Sequence, residues 1–195
     1  FLVTLALMQA IRGLAQTITG GYPVAGFDKS FGVISAGTLG GIPLLVIYMA
    51  IFYAIFIYIM KFTSFGRATY AIGGNEESAR LSGINVEKVK TLVFVISSML
   101  CGVAGVLLTS KVRSGDPTCA NGWEMDTIAG AIIGGTNMSG GEGTLWGTII
   151  GLLFVGILSN GMVLLGVNAY MQSVIKGLVI FGAVIINSIQ KRSQV

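Results

Sequence analysis

Long apolar stretches alternate with short polar loops along this chain. The apolar stretches are approximately residues 1–19, 42–60, 91–110, 126–138, 145–165 and 170–189. Five of them approach the ~20 mostly apolar residues that a helix needs to cross the hydrocarbon core of a bilayer. The stretch 126–138 is shorter and rich in glycine. The pattern predicts an all-α, polytopic transmembrane helix bundle that forms a single domain over residues 1–195.

The composition excludes other classes of protein. Hydrophobic residues make up 53% of the chain and charged residues only 10%, with a mean hydropathy of +0.83. A soluble domain usually carries about 25% charged residues. The net charge of +4 does not indicate nucleic-acid binding, because the cations lie at the ends of apolar stretches rather than in one patch. With no histidine and no cysteine–carboxylate cluster at metal-ligand spacing, we expect neither a catalytic site nor a metal site.

The distribution of lysine and arginine predicts the orientation in the membrane. The loop 61–90 carries five of them, and Lys191 and Arg192 lie in the C-terminal tail. Cytoplasmic loops are enriched in these residues, so we expect the loop 61–90 and the C-terminus to be cytoplasmic. The chain begins at Phe1 without a charged n-region, so we expect no signal peptide and a C-terminal portion of a longer protein.

The same orientation requires an even number of crossings between Lys90 and Lys191. Three good spans lie there, so the short stretch 126–138 must also cross or nearly cross. Its glycines fit either a discontinuous helix beside a translocation path or a Gly-rich turn between two spans, and both interpretations stay open. The first interpretation gives these candidate path residues: Gly134, Gly135, Thr136, Asn137, Gly140 and Gly141.

Two short motifs predict tight helix packing. The segments Gly130–Gly134 and Gly147–Gly151 each place glycines four residues apart. Small residues at this spacing let membrane helices approach closely. The motifs therefore predict a compact bundle and say nothing about cargo.

Two cations fall inside apolar stretches. Ionisable groups within a span are candidates for function. Lys176 lies about two turns into its helix, and we expect its side chain to snorkel towards the interface. For Arg12 the sequence leaves both a structural and a functional role open, because its segment is compatible with a kink.

A short polar helix is predicted within the loop 61–90. Asn75 is a favourable N-cap, and Glu76 and Glu77 fill the first turn, where the helix dipole favours anions. Gly83 is placed as the left-handed residue that closes the helix. So short a helix is marginal alone in water. A loop of about thirty residues exceeds what a simple reversal needs, which favours a docking role over a structured linker.

These residues carry a family resemblance. Glu77-Ser78-Ala79-x-x-x-Gly83 is similar to the EAA-x-x-x-G coupling motif of ABC importer permeases, with serine in place of the usual second alanine. The segment 73–84 resembles the version found in permeases of ribose-type sugar importers, and the segment 133–141 resembles their IGGTSLSGG stretch. Asn137-Met138 replaces the common Ser-Leu there, in the candidate path. The resemblance extends from about Arg12 to the end of the chain.

The resemblance implies a permease subunit of the bacterial inner membrane that imports a monosaccharide such as ribose and is not itself an enzyme. ATP and Mg would be bound by partner ATPase subunits, with no cofactor on this chain. A second permease copy and an extracytoplasmic sugar-binding protein would complete the importer. The implied ATPase-coupling residues are Gly74, Asn75, Glu76, Glu77, Ala79, Arg80 and Gly83.

The sequence leaves three alternatives open. A branched-chain amino-acid importer and a nucleoside importer would have the same architecture. A secondary transporter would need intramembrane carboxylates for ion coupling. Asp126, at the edge of a span, is the nearest the sequence offers to such a group.

Overall fold

The computed structural model describes the backbone of residues 2–192 and the side chains of that range except 29, 184 and 186–192. Within it the helices are α1 (Leu2–Thr19), α2 (Lys29–Ala36), α3 (Leu44–Phe62), α4 (Ser64–Gly74), α5 (Glu76–Leu81), α6 (Val86–Val112), α7 (Trp123–Ile133), α8 (Leu145–Leu164) and α9 (Ala169–Arg192). The strands are β1 (Val24–Ala25), β2 (Thr38–Leu39), β3 (Ile42–Pro43) and β4 (Ser114–Gly115). The side chains of Lys191 and Arg192 therefore lie outside the described residues.

Among the described residues, four helices are long and apolar enough to cross a membrane: α1, α3, α6 and α8. In α9 the described apolar part, Ala169–Ala183, is shorter. Large apolar side chains are exposed along these helices, as expected of surfaces that lipid or another apolar partner covers. The all-α, polytopic membrane fold predicted from the sequence is confirmed.

Each of the four described strands is only two residues long. β1 pairs with β4 antiparallel, and β2 pairs with β3. The turn between β2 and β3 consists of Gly40 and Gly41, with φ of +59° and +85°. Two consecutive residues with positive φ define the type I′ turn that suits a two-residue hairpin, and glycine adopts this conformation without steric cost. Because Pro43 belongs to β3, α3 begins at Leu44, two residues later than predicted.

The chain divides into two compact units. In the first, formed by residues up to 54 and by 91–121, two buried serines join α2 to α6. Ser35 Oγ donates to Ser110 Oγ at 2.8 Å, and Ser110 Oγ donates to the carbonyl of Phe31 at 2.6 Å. Arg12, whose role the sequence left open, donates from Nη1 to Asn121 Oδ1 at 2.9 Å. Arg12 thus has a structural contact within this unit.

The second unit, residues 55–90 and 122–195, contains α7 packed against α8 and α9. Its small apolar core includes Ala129, Ile132, Val155 and Met162. In the predicted short span 126–138, the helix α7 starts three residues earlier, at Trp123, and stops at Ile133, directly before Gly134. The stop has a physical cause, because Gly135 adopts a left-handed φ of +86° and the N–H of Thr136 bonds back to Ala131. This is a Schellman motif, which terminates a helix.

Candidate functional site

The short polar helix α5 forms as predicted. Asn75 is extended, and its Oδ1 accepts from the N–H of Ser78 at 2.9 Å, so it caps the helix. At the other end Gly83 has a φ of +82°. Its N–H donates to the carbonyl of Arg80, and the N–H of Ile84 donates to the carbonyl of Ala79. A Schellman motif like that of α7 therefore fixes where α5 stops. These bonds satisfy backbone groups that a free six-residue helix would leave to water.

The helix is fixed between two neighbours. Asn75 is at once the C-cap of α4 and the N-cap of α5, so no residue separates the two helices except the cap. Beyond Gly83, Asn85 Oδ1 accepts from the N–H of Lys88 at 3.1 Å and caps α6. This cap explains why α6 begins at Val86, five residues before the predicted boundary. Ala79, only 4% exposed, is the face of α5 that is buried.

The charges of α5 are arranged around Glu76. Lys90 Nζ donates to Glu76 Oε2 at 2.6 Å, and Arg80 Nη2 lies 3.8 Å from Oε1. The hydrogen bond from Lys90, supported by the positive charges of Lys90 and Arg80, lowers the pKa of Glu76 below its ordinary value. Because Lys90 belongs to α6, this ion pair ties α5 to the helix that follows it.

A Glu76→Gln variant gives a prediction about pH. A lowered folded-state pKa means that the stabilisation is present above the unfolded pKa and disappears as pH falls through the folded one. We therefore expect E76Q to unfold at a lower temperature than the wild type at pH 7, with the difference closing below the ordinary glutamate pKa of about 4.3. Thermal unfolding in detergent measures it, with Glu77→Gln in the same turn as the control. A gap that did not narrow as pH fell below the ordinary glutamate pKa would contradict the ion pair.

The remaining predicted residues of α5 face outward. Glu77 and Arg80 are exposed, and Leu81 is 85% exposed even though it is apolar. Asn75, Glu76 and Gly83 are exposed as well. The predicted coupling residues are therefore brought together on one short segment.

The loop between α7 and α8, residues 134–144, is here called the glycine loop. Asn137 organises it: its N–H donates to the carbonyl of Glu142, its carbonyl accepts from the N–H of Gly140, and its Oδ1 accepts from the N–H of Ser139. Such local bonds from asparagine favour turns over helices. At the end of the loop Thr144 Oγ1 accepts from the N–H of Gly147 at 3.0 Å and caps α8.

The glycine loop lies directly against the end of α4. A Cβ on Gly73 would overlap the backbone N of Gly141, and a Cβ on Gly141 would meet the N and Cα of Gly74 at 2.8 Å. A Cβ on Gly140 would lie 2.9 Å from the carbonyl oxygen of Gly73. Tyr70, one turn earlier on α4, donates from its hydroxyl to the carbonyl of Gly143 at 2.9 Å. The contact is thus made mainly by backbone, which only glycine permits at this distance.

The α7–α8 pair is close at four further glycines. A Cβ on Gly134 would overlap the carbonyl of Gly147, and a Cβ on Gly151 would overlap the carbonyl of Gly130. These are the residues of the two small-xxx-small motifs, so the predicted close packing is confirmed and the two motifs pack against each other. Gly134, a candidate path residue, therefore takes part in this helix contact.

An ion pair joins α7 to α9. Lys176 Nζ donates to Asp126 Oδ2 at 2.7 Å, with the two side chains 28% and 26% exposed. A small apolar cavity beside it is lined in part by Ala129 and Val155. The snorkelling of Lys176 stays a prediction, and the structure adds that its ammonium group has a carboxylate partner on another helix.

The structure relates the two predicted groups of residues in a way that the sequence did not indicate. Gly140 and Gly141, predicted for the path, touch the α4 end that adjoins α5. Gly135 ends α7, and Thr136 and Asn137 shape the loop. Sequence reasoning missed Tyr70, Gly73 and the Asp126–Lys176 pair. Two features of the sequence pointed towards them. One is the glycine pair 73–74, and the other is the presence of a carboxylate and an ammonium group in apolar stretches; neither feature identifies the contact partner.

The described residues thus form a polytopic set of apolar helices with a short, capped polar helix between α4 and α6, as expected of an integral membrane protein. The chain belongs to the family described as branched-chain amino acid transport system / permease component, which matches residues 1–184.

Individual relatives are sugar permeases by name. The chain is 42% identical over 189 residues to the ribose import permease protein RbsC of Bacillus subtilis, covering 96% of this chain and 59% of that protein. It is 40% identical to the ribose import permease protein RbsC of Escherichia coli K12, with 96% and 60% covered. It is 36% identical to the L-arabinose transport system permease protein AraH of E. coli K12, with 99% and 59% covered. The chain thus spans about three fifths of the length of these relatives, and no solved structure matches it.

Proposed function

We propose that this chain is part of a permease subunit that imports a monosaccharide such as ribose, driven by ATP hydrolysis on separate subunits. The observation that carries the proposal is α5, a helix fixed at both ends that presents Glu77, Arg80 and Leu81 outward. The names of the ribose and arabinose relatives support the substrate class. In this proposal the chain itself catalyses no reaction, and ATP and Mg belong to the ATPase partners.

The proposed assembly has two permease copies in the bacterial inner membrane, two ATPase subunits on the cytoplasmic side and a sugar-binding protein on the other side. The ATPases dock on α5, which places the loop 61–90 and the C-terminus in the cytoplasm. The residues proposed for the docking segment are Gly74, Asn75, Glu76, Glu77, Ala79, Arg80 and Gly83. Closure of the ATPases then displaces α5 and switches access to the path.

The proposal keeps four crossings between Lys90 and Lys191. Both ends of this segment are proposed to be cytoplasmic, so an even number of spans is needed. The helix α7 makes the fourth crossing together with the loops on either side of it, because its 11 residues are only about 16 Å long.

The decisive test of the proposed function is a Glu77→Leu variant of the full-length permease. The assay measures ATP-dependent uptake of labelled ribose in cells that also express the ATPase and the binding protein. We expect uptake to fall at least about tenfold, which corresponds to the loss of about 1.4 kcal/mol or more of binding free energy at the interface. Glu87→Leu is the matched control, because Glu87 occupies the first turn of α6 as Glu77 occupies that of α5. Membrane insertion of both variants is checked by immunoblotting.

Undiminished uptake by Glu77→Leu would refute the docking role of α5. The same assay tests the substrate. The family description names branched-chain amino acids, so labelled leucine is measured beside ribose and arabinose. Uptake of leucine without either sugar would overturn the sugar proposal and leave the ATP-driven mechanism standing. A secondary transporter would show uptake that persists when the ATPase is removed.

A further inference from the structure

The contact between α4 and the glycine loop joins two segments that are far apart in sequence. Tyr70 and Gly143 are 73 residues apart, and Gly73 and Gly141 lie between them on opposite sides of the contact. Both segments belong to the second unit. On one side of the contact, the chain continues from α4 through the shared cap Asn75 directly into α5. The other side leads into α7 at one end of the loop and α8 at the other.

The contact is built so that little relative movement is possible. Gly140 and Gly141 have left-handed φ values of +89° and +81°, which turn the loop backbone onto α4. At Gly73 there is no room for even a methyl group before the backbone of Gly141. Backbone atoms have no rotamers by which they could move aside, so a displacement of one segment must displace the other. The hydroxyl of Tyr70 adds a directional bond to Gly143 beside the glycines.

We propose that Tyr70, Gly73, Gly140 and Gly141 form a clasp that transmits the movement of α5 to α7 and α8, so that they are positioning residues for transport. This inference rests on the proposed function, because it needs α5 to be the point at which the ATPases act. It assigns Gly140 and Gly141 to coupling rather than to the translocation path. It also gives Tyr70 and Gly73 a role that the coupling motif does not include.

The clasp explains how a six-residue helix moves spans of the membrane domain. The helix α5 is joined to α6 through the Glu76–Lys90 ion pair and the cap at Asn85. The clasp connects α5, through the end of α4, to the closely packed pair α7 and α8. Within the pair, the contacts at Gly130, Gly134, Gly147 and Gly151 make the two helices move together. A push on α5 is therefore shared between α6 on one side and α7–α8 on the other.

The test is the ratio of sugar transported to ATP hydrolysed, measured for the full-length permease reconstituted in vesicles with its ATPase and binding protein. Gly73→Ala is the main variant, since its Cβ separates α4 from the glycine loop. Gly161→Ala is the matched control: it is also a helical glycine replaced by alanine, but its Cβ meets nothing within 4 Å. We expect Gly73→Ala to lower the ratio at least about fivefold, the lower end of allosteric coupling, with Gly161→Ala unchanged.

A second pair of variants keeps the test decisive if Gly73→Ala does not fold. Tyr70→Phe removes only the hydroxyl bond to Gly143 and is expected to lower the ratio about twofold or more, as loss of a hydrogen bond of ordinary strength would. Gly141→Ala is compared with Gly166→Ala. Both residues have positive φ, but only a Cβ on Gly141 meets another segment. This comparison separates backbone strain from loss of the clasp.

The outcomes distinguish the two proposals. If the wild type takes up sugar with ATP but folded Gly73→Ala or Tyr70→Phe keeps the wild-type ratio, the clasp has no coupling role and the proposed function stands. If uptake and hydrolysis fall together so that the ratio is constant, the contact is merely structural and the proposal is overturned. If the wild type shows no ATP-driven uptake, the proposed function fails and the coupling role fails with it.

Discussion

Replacement of Gly151 by leucine is expected to force α7 away from α8 and to lower the free energy of unfolding by at least about 3 kcal/mol. The reason is steric, because a Cβ at Gly151 would overlap the carbonyl oxygen of Gly130. No rotamer of leucine relieves a clash at the Cβ. Overpacking in a well-packed core usually costs about 1–3 kcal/mol, and here the obstacle is backbone of the facing helix. Thermal unfolding of the purified full-length protein in detergent measures the loss.

The same helix provides the control. Gly156 lies on α8 as well, but a Cβ there meets nothing within 4 Å. Gly156→Leu should leave stability unchanged or raise it slightly, since leucine has a helix propensity about 1 kcal/mol more favourable than glycine. Equal unfolding temperatures for the two variants would mean that α7 and α8 do not approach at Gly151.

Replacement of Asp126 by alanine is the second large effect that we expect. The side chain of Lys176 is only 28% exposed, and the substitution leaves its ammonium group without a carboxylate partner. Breaking a buried ion pair from one side typically costs about 3–5 kcal/mol. Because a quarter of each side chain is exposed, we expect about 2 kcal/mol or more here. Thermal unfolding in detergent at neutral pH measures it.

A double variant separates the lost attraction from the unpaired charge. Asp126→Leu combined with Lys176→Met replaces the pair by apolar side chains and should recover most of the stability, because such replacements are often neutral or stabilising. Asp126→Leu alone and Lys176→Met alone should each be less stable than the double variant. Additive losses in the double variant would show that the two side chains act independently, against the 2.7 Å contact.

Local patterns predicted local structure well. Hydropathy found the apolar helices, since length and composition suffice for a span. Asn75 and Gly83 predicted both ends of α5, because capping chemistry acts within a few residues. The glycine spacing predicted close helix packing, because four residues return to the same face of a helix, but it did not say which helices would meet.

Contacts between distant segments could not be predicted in the same way. The sequence showed Lys176 as an isolated cation, and its partner lies 50 residues earlier on another helix. The glycines at 140 and 141 fitted a path as well as a turn, because glycine carries no side chain whose chemistry would specify a neighbour. Which glycine after Ile133 adopts the left-handed conformation could not be predicted for a related reason, since several glycines in succession offer several positions for such a residue.

The shortness of α7 has a consequence for biosynthesis. With 11 residues, Glu124 and Asp126 in its first turn, it is too short and too polar to enter a bilayer alone. Its apolar face is covered by α8, and its Asp126 is neutralised by a lysine of α9. In the proposed topology, in which α7 crosses, we therefore expect α7 to enter the membrane only together with α8, as a hairpin.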